Sequence, residues 1–246
     1  RGGNHLPQSS DGVGNGAAEP PAVQIHARGR HLKLKAAQTF KAVGERGDIR
    51  SSHTGIAYHN NITSTLILCE TMAKYGCKRI VFSSSATVYG DPASVPIRED
   101  FPLHTTNPYG STKLMIEGIL RDLFVADNEW SIALLRYFNP IGAHPTAIIG
   151  EMPNGVPQNL IPFLTQTAIG IREKLSVFGD DYNTPDGSCI RDYINVVDLA
   201  KAHVVAIDRI LQDKQDEQVE VFNIGTGRPV SVAELVTAFE KKHLSK

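Results

Sequence analysis

RIVFSSSATVYG, residues 79–90, is the stretch on which the fold turns. Residues 79–83 make a short apolar run that reads as a buried strand. The run passes directly into Ser84, Ser85, Ala86, Thr87, Val88, Tyr89 and Gly90, where polar groups crowd the strand end. A strand that is apolar along its length and polar only at its end suits a parallel sheet covered on both faces. Such a sheet binds ligands beyond the carboxyl ends of its strands.

The neighbouring segments repeat the pattern. Residues 58–75 carry Ile62, Leu66, Cys69 and Met72 at helical spacing, and Gly76 supplies a stop. Residues 108–126 predict a helix with Met115, Ile119, Leu120 and Leu123 on one side. IALLRYF, 132–138, reads as a second buried strand and runs into Asn139, Pro140, Ile141 and Gly142. A helix over 159–169, the short run KLSVFG, a helix over 198–211 and a strand-like VEVFNIG at 219–225 follow in turn. Ser231 and Glu234 form a capping box for a last helix. Helices alternating with short apolar strands specify an α/β fold with a mainly parallel sheet. Residues 1–50 show no long periodic segment, and DGVGNGAAEPPA reads as a loop.

Composition narrows the function. The 246 residues suffice for one large or two small domains, and 41% are hydrophobic. A net charge of -1 argues for neither nucleic acid nor an anionic membrane as partner. No apolar run approaches the ~18 residues of a spanning helix. The three cysteines, Cys69, Cys77 and Cys189, follow no CxxC pattern and read as free thiols in a reducing, cytoplasmic compartment. The nine histidines are scattered without HExxH, so no metal site is expected.

NPYGSTK, 107–113, sits between the two polar strand ends. Pro108 suits a first helical turn, and Tyr109 and Lys113 lie one turn apart on a shared face. On many surface helices such a pair is only a ring covering a lysine stem. Here it offers acid–base chemistry. A fixed ammonium favours the phenolate of a tyrosine whose ordinary pKa is about 10. A phenol so tuned can take a proton from a sugar or alcohol hydroxyl.

Four motifs, SSSATVYG (83–90), NPYGSTK (107–113), LLRYFNPIGAHP (134–145) and IRDYINVVDLAKAH (190–203), together resemble the UDP-galactose 4-epimerases of the extended short-chain dehydrogenase/reductase group. The resemblance runs from residue 55 to about 240. It implies a Rossmann-like doubly wound parallel sheet, without its first strand and glycine-rich loop, joined to part of a smaller substrate-binding domain. Residues 1–50 would be irregular, 51–145 an incomplete NAD-binding domain, and 146–246 substrate-binding, interleaved with sheet elements near 190–225.

The resemblance makes Tyr109 the catalytic tyrosine, Lys113 its lysine and a holder of the nicotinamide ribose, and Ser85 the serine on the reacting hydroxyl. It sets Ser83 and the pair Tyr137 and Phe138 beside the cofactor, with Lys41 and Asn60 on the cofactor side. Asn139 and Asn159 become substrate contacts, Phe178 the uracil contact and Arg191 the diphosphate contact. Plainer readings stand beside these. Ser83 and Ser84 could satisfy backbone groups, Phe178 could be core, and Arg191 could pair with Asp192. The implied reaction interconverts UDP-galactose and UDP-glucose through a 4-keto sugar, with NAD returned unchanged. A homodimer is implied as well.

Related nucleotide-sugar 4,6-dehydratases resemble STDEVYG at the strand end, and decarboxylating relatives TSEVYG. This chain has Ala86 and Thr87 where those acids would stand, which favours epimerisation over elimination. Other nucleotide-sugar 4-epimerases, acting on uronic or N-acetyl sugars, share the pattern. Asn195, Met152 and Gln158 depart from the usual His, acid and Asn of the group. GVGNG at 12–16 has neither the preceding strand nor the following helix of a phosphate-binding turn. The sequence alone therefore also allows a truncated, non-catalytic fragment of such an epimerase.

Overall fold

The computed structural model describes residues 26–27, 30–31 and 54–243. The chain divides into two units, residues 1–41 and residues 42–246. In the first, β1 (His26–Ala27) and β2 (Arg30–His31) pair antiparallel. The rest of the irregular segment expected over 1–50, and Lys41 with it, lies outside the described residues.

The second unit opens with α1 (Thr54–Tyr58), a π-helical turn over His59–Thr63 and α2 (Ser64–Lys74). Gly76 ends this helical run at φ +67, a conformation open to glycine because it lacks a Cβ. Next come β3 (Arg79–Ser85), a 3₁₀ turn over Ala86–Tyr89, α3 (Pro108–Ala126) and β4 (Ser131–Tyr137). After β5 (Asn139–Ile141) and α4 (Leu160–Ala168), β6 (Ile190–Asn195) leads straight into α5 (Val196–Leu211). The unit closes with β7 (Val219–Ile224), β8 (Pro229–Ser231) and α6 (Val232–His243).

Strands β3, β4 and β7 form a parallel sheet in that order, with β4 in the middle. Alternate β4 residues feed two cores. Ile132 and Leu134 pack with Cys69, Ile116, Leu120 and Trp130, from the α2 and α3 side. Ala133 and Leu135 pack with Ala206 and Ile210 of α5. The sheet is thus covered on both faces, as a Rossmann-like doubly wound arrangement requires. A second sheet pairs β5 with β6 in parallel and β6 with β8 antiparallel.

Strand β3 runs two residues past the expected apolar stretch. Ser84 and Ser85 stay in the ladder opposite Arg136 and Tyr137. KLSVFG, 174–179, forms no regular element. The capping box is present: Ser231 N donates to Glu234, and Glu234 N donates to Ser231 Oγ.

Two helix faces differ from expectation. Met115 is 47% exposed, and the inner side of α3 is Thr112, Ile116, Glu117 and Leu120. At about 100° per residue, turning Tyr109 and Lys113 toward the strand ends brings 116, 117 and 120 inward and swings 115 out. Leu66 is 42% exposed, while Ile62, Cys69 and Met72 of the same run reach the core.

Candidate active site

The start of α3 is set by its cap. Asn107 Oδ1 accepts from Gly110 N at 2.8 Å, and Pro108 follows in the first turn. Gly110 lets that turn come against the 3₁₀ segment, for a Cβ there would sit 3.0 Å from Thr87 O. This contact brings Tyr109 to Ser85. Ser85 Oγ accepts from Thr87 N at 3.3 Å and from Thr87 Oγ1 at 2.9 Å. Its own proton is left free to turn toward the Tyr109 oxygen, whose titration Ser85 influences.

Lys113, one turn on, donates from Nζ to Ser83 O at 2.9 Å. The ammonium lies 5.1 Å from the Phe82 ring centroid and 5.6 Å from that of Tyr109. Tyr109, Lys113, Ser85 and Ser83 therefore meet at the carboxyl end of β3.

Electrostatics there differ from the simple expectation. Burial pushes the Tyr109 phenol above its ordinary range, and the Ser85 hydrogen bond pulls part of the way back. Burial also pushes the Lys113 ammonium down. Burial therefore dominates the phenol, Ser85 is the group that offsets part of it, and the Lys113 ammonium is held on the Ser83 carbonyl near the Phe82 face.

Beneath the site lies a buried ion pair. Arg136 and Glu117 have side chains only 1% exposed. Arg136 Nε and Nη2 donate to the two Glu117 oxygens at 2.9 and 2.6 Å. Ser84 Oγ donates to Glu117 Oε1 at 2.5 Å, and Arg136 Nη1 donates to Tyr89 Oη at 2.8 Å. Ser84 is accordingly tied to a side chain on α3 and not to local backbone.

Beside it, Tyr137 Oη lies 2.5 Å from Ser83 Oγ and 2.5 Å from His203 Nε2. Sequence reasoning assigned His203 no role. A signal was present, because 203 falls on the inward stripe of α5 between Leu199 and Ala206, both buried.

Four of the expected substrate residues, Asn139, Asn159, Phe178 and Arg191, line a cavity of about 840 Å³, while Ser85, Tyr109 and Lys113 are not among the residues that line it. It begins at Asn139, two residues past the end of β4. Phe178 is 85% exposed, so it is not core. Asp192 accepts from Thr226 N and Gly227 N, which leaves Arg191 without a salt bridge among the described residues. Asn159 Nδ2 donates to Glu151 at 2.9 Å. Asn60 is half-buried in the π-helical turn, and its neighbour Asn61 is the residue that donates to Thr112 on α3, at 2.9 Å.

Among the described residues no cluster of His, Cys, Asp and Glu could hold a metal ion. None of their helices is long and apolar enough to cross a membrane. A ribose fits the donor set: an ammonium has three hydrogens, and Ser83 O takes one from Lys113.

A parallel α/β sheet with a Tyr–Lys pair and a serine at one strand end defines a nucleotide-dependent class of enzymes. The chain belongs to the NAD dependent epimerase/dehydratase family, whose model matches residues 32–225. It is similar to the UDP-glucose 4-epimerase of Bacillus subtilis (strain 168), with 61% identity over 202 residues, 82% of this chain and 58% of the relative. The UDP-glucose 4-epimerase of Dictyostelium discoideum is 55% identical over 82% of this chain and 57% of its own length. The crystal structure of the Bifidobacterium longum UDP-glucose 4-epimerase, in complex with NAD+ and UDP, aligns with a TM-score of 0.71 at 53% identity. That alignment covers 76% of this chain and 55% of the other. The chain therefore spans between 55% and 58% of the length of these relatives.

Proposed function

We propose that this chain carries the proton-transfer centre of an NAD-dependent UDP-glucose 4-epimerase, which interconverts UDP-galactose and UDP-glucose. The observation that carries the reading is the meeting of Tyr109, Ser85 and Lys113 at one strand end. Ala86 and Thr87 stand in the adjoining turn, where an eliminating enzyme would need acids.

Tyr109 Oη takes the proton of the sugar 4-hydroxyl and later gives it back to the same oxygen. Ser85 Oγ holds that hydroxyl and the phenol in line. Lys113 holds ribose hydroxyls with its remaining hydrogens. When bound, NAD supplies the redox step at C4. Phe178 and Arg191, which line the cavity, anchor uracil and diphosphate while the keto sugar turns beside Tyr109, and an arginine fork suits two phosphate oxygens. Asn139 and Asn159 contact the sugar nucleotide, while Ser83, Tyr137 and Asn60 stand on the cofactor side.

The finer reading includes a homodimer in the cytoplasm. Apolar side chains exposed on α2 and α3, among them Leu66, Ile67 and Met115, support the first, and three free cysteines the second.

The test is Tyr109→Phe, assayed for conversion of UDP-galactose to UDP-glucose with bound NAD measured in parallel. Loss of a general base should lower turnover about 10²–10⁴-fold, with NAD content unchanged. Turnover that survives the substitution would refute the assignment.

A further inference from the structure

We propose that His203 is a positioning residue of this site: by accepting a hydrogen bond from the Tyr137 phenol it keeps Tyr137 neutral and leaves Tyr109 as the phenol free to act as base. The inference rests on the epimerase reading and extends it to a residue that reading does not use.

The hydrogen bonds set the direction. His203 Nδ1 lies 2.8 Å from Leu199 O, and a carbonyl only accepts, so Nδ1 carries the hydrogen. In the neutral ring Nε2 is then an acceptor, and it faces Tyr137 Oη at 2.5 Å. Tyr137 has one proton, which goes to Nε2. Ser83 Oγ lies 2.5 Å from the same phenol oxygen and 3.4 Å from Nε2. The contacts thus run from Ser83 to Tyr137 to His203, whose Nδ1 is held on Leu199 O. The rings also meet edge to face, with centroids 5.4 Å apart at 63°.

Two phenols share these strand ends, and each ionises less readily if the other is charged. Tyr109 is one of the groups that push the Tyr137 phenol up, after burial. Each phenol has a serine beside it that favours the phenolate, Ser85 for Tyr109 and Ser83 for Tyr137. Tyr137 alone also meets an imidazole nitrogen, which with the hydrogen on Nδ1 can only accept and so favours the phenol. The Lys113 ammonium is held on Ser83 O, at the start of these contacts. On α5 itself Asp198 and Lys201 pair with each other at 3.1 Å. Ser83, held from both sides, then offers one fixed orientation beside Lys113.

The experiment compares His203→Phe, which keeps a ring and removes the acceptor, with His203→Gln, which restores an acceptor. Nitrogen-15 NMR of the wild-type imidazole should show hydrogen on Nδ1. His203→Phe should lower kcat about tenfold, the scale of one hydrogen bond in the transition state, with KM for UDP-galactose within about twofold. His203→Gln should recover most of kcat. Wild-type kcat in His203→Phe would overturn the proposal, as would equal losses in both variants or hydrogen on Nε2. No turnover in the wild type, with hydrogen still on Nδ1, would overturn the epimerase reading and the role of His203 in it. The pairing with Tyr137 would stand.

Discussion

Replacing Arg136 by methionine isolates the ion pair under the site. The substitution keeps most of the side-chain volume and removes the guanidinium. Glu117 is then left 1% exposed, keeping among the described residues the Ser84 hydroxyl at 2.5 Å. The Tyr89 hydroxyl and Glu99 O lose their donor as well. Breaking a buried pair from one side costs about 3–5 kcal/mol, because the remaining charge has been moved out of water without compensation. For a chain of this size that corresponds to a fall of about 6–20 °C in Tm.

The companion variant is Glu117→Leu with Arg136→Met. Removing both charges also removes the desolvation penalty, and such exchanges range from neutral to stabilising. The double variant should therefore be more stable than Arg136→Met alone. Urea unfolding at pH 7, followed by near-ultraviolet circular dichroism, measures both. If Arg136→Met costs less than about 1 kcal/mol, the figure for an exposed pair, the burial argument is wrong. If the double variant is no more stable than Arg136→Met alone, the coupling is absent and the argument fails equally.

Two further outcomes follow from local geometry. Asn107→Ala removes the oxygen that accepts from Gly110 N at 2.8 Å, and should cost about 1 kcal/mol by urea unfolding, most of it recovered by Asn107→Asp. Arg209 holds the Glu220 carboxyl below its ordinary range through bonds of 2.7 and 2.6 Å. A depressed carboxylate stabilises the fold above its unfolded pKa, about 4.3, and loses that contribution as pH falls through the folded value. The Tm difference between wild type and Glu220→Gln should be largest near pH 7 and close below about pH 4. A gap that persists in acid would refute the linkage.

The parts of the fold that could be read from sequence rest on short-range rules. The helix Pro108–Ala126 has its bounds marked by Asn107 and Pro108 at one end, and β4 by a run of apolar residues. Tyr109 and Lys113 could be paired on paper because one helical turn links them. Ser85 is singled out through the resemblance of SSSATVYG to the family's strand end, not by a rule of local structure. What stayed hidden depends on partners distant in the chain. Arg136 in LLRYF looks like an interruption of a strand until Glu117, 19 residues away, is seen to face it. His203 meets Tyr137 across 66 residues; its helical spacing marks it as inward-facing but does not name its partner.

The misplaced face of α3 points to a deeper reason. Leu and Met at helical spacing suggested an inner side containing Met115, as hydrophobicity alone would have it. The observed inner side includes Thr112 at 0% and Glu117 at 1% exposure, two polar residues. Their burial is tolerable because each has a partner: Thr112 accepts from Asn61, and Glu117 pairs with Arg136. The rotation that seats them is the one that carries Lys113 to Ser83 O and Tyr109 to Ser85. Hydrophobic burial on this helix thus gives way to the site, and the polar network repays what the exposure of Met115 loses. Where a helix carries chemistry at its first turn, its phase is better read from the chemistry than from the apolar stripe.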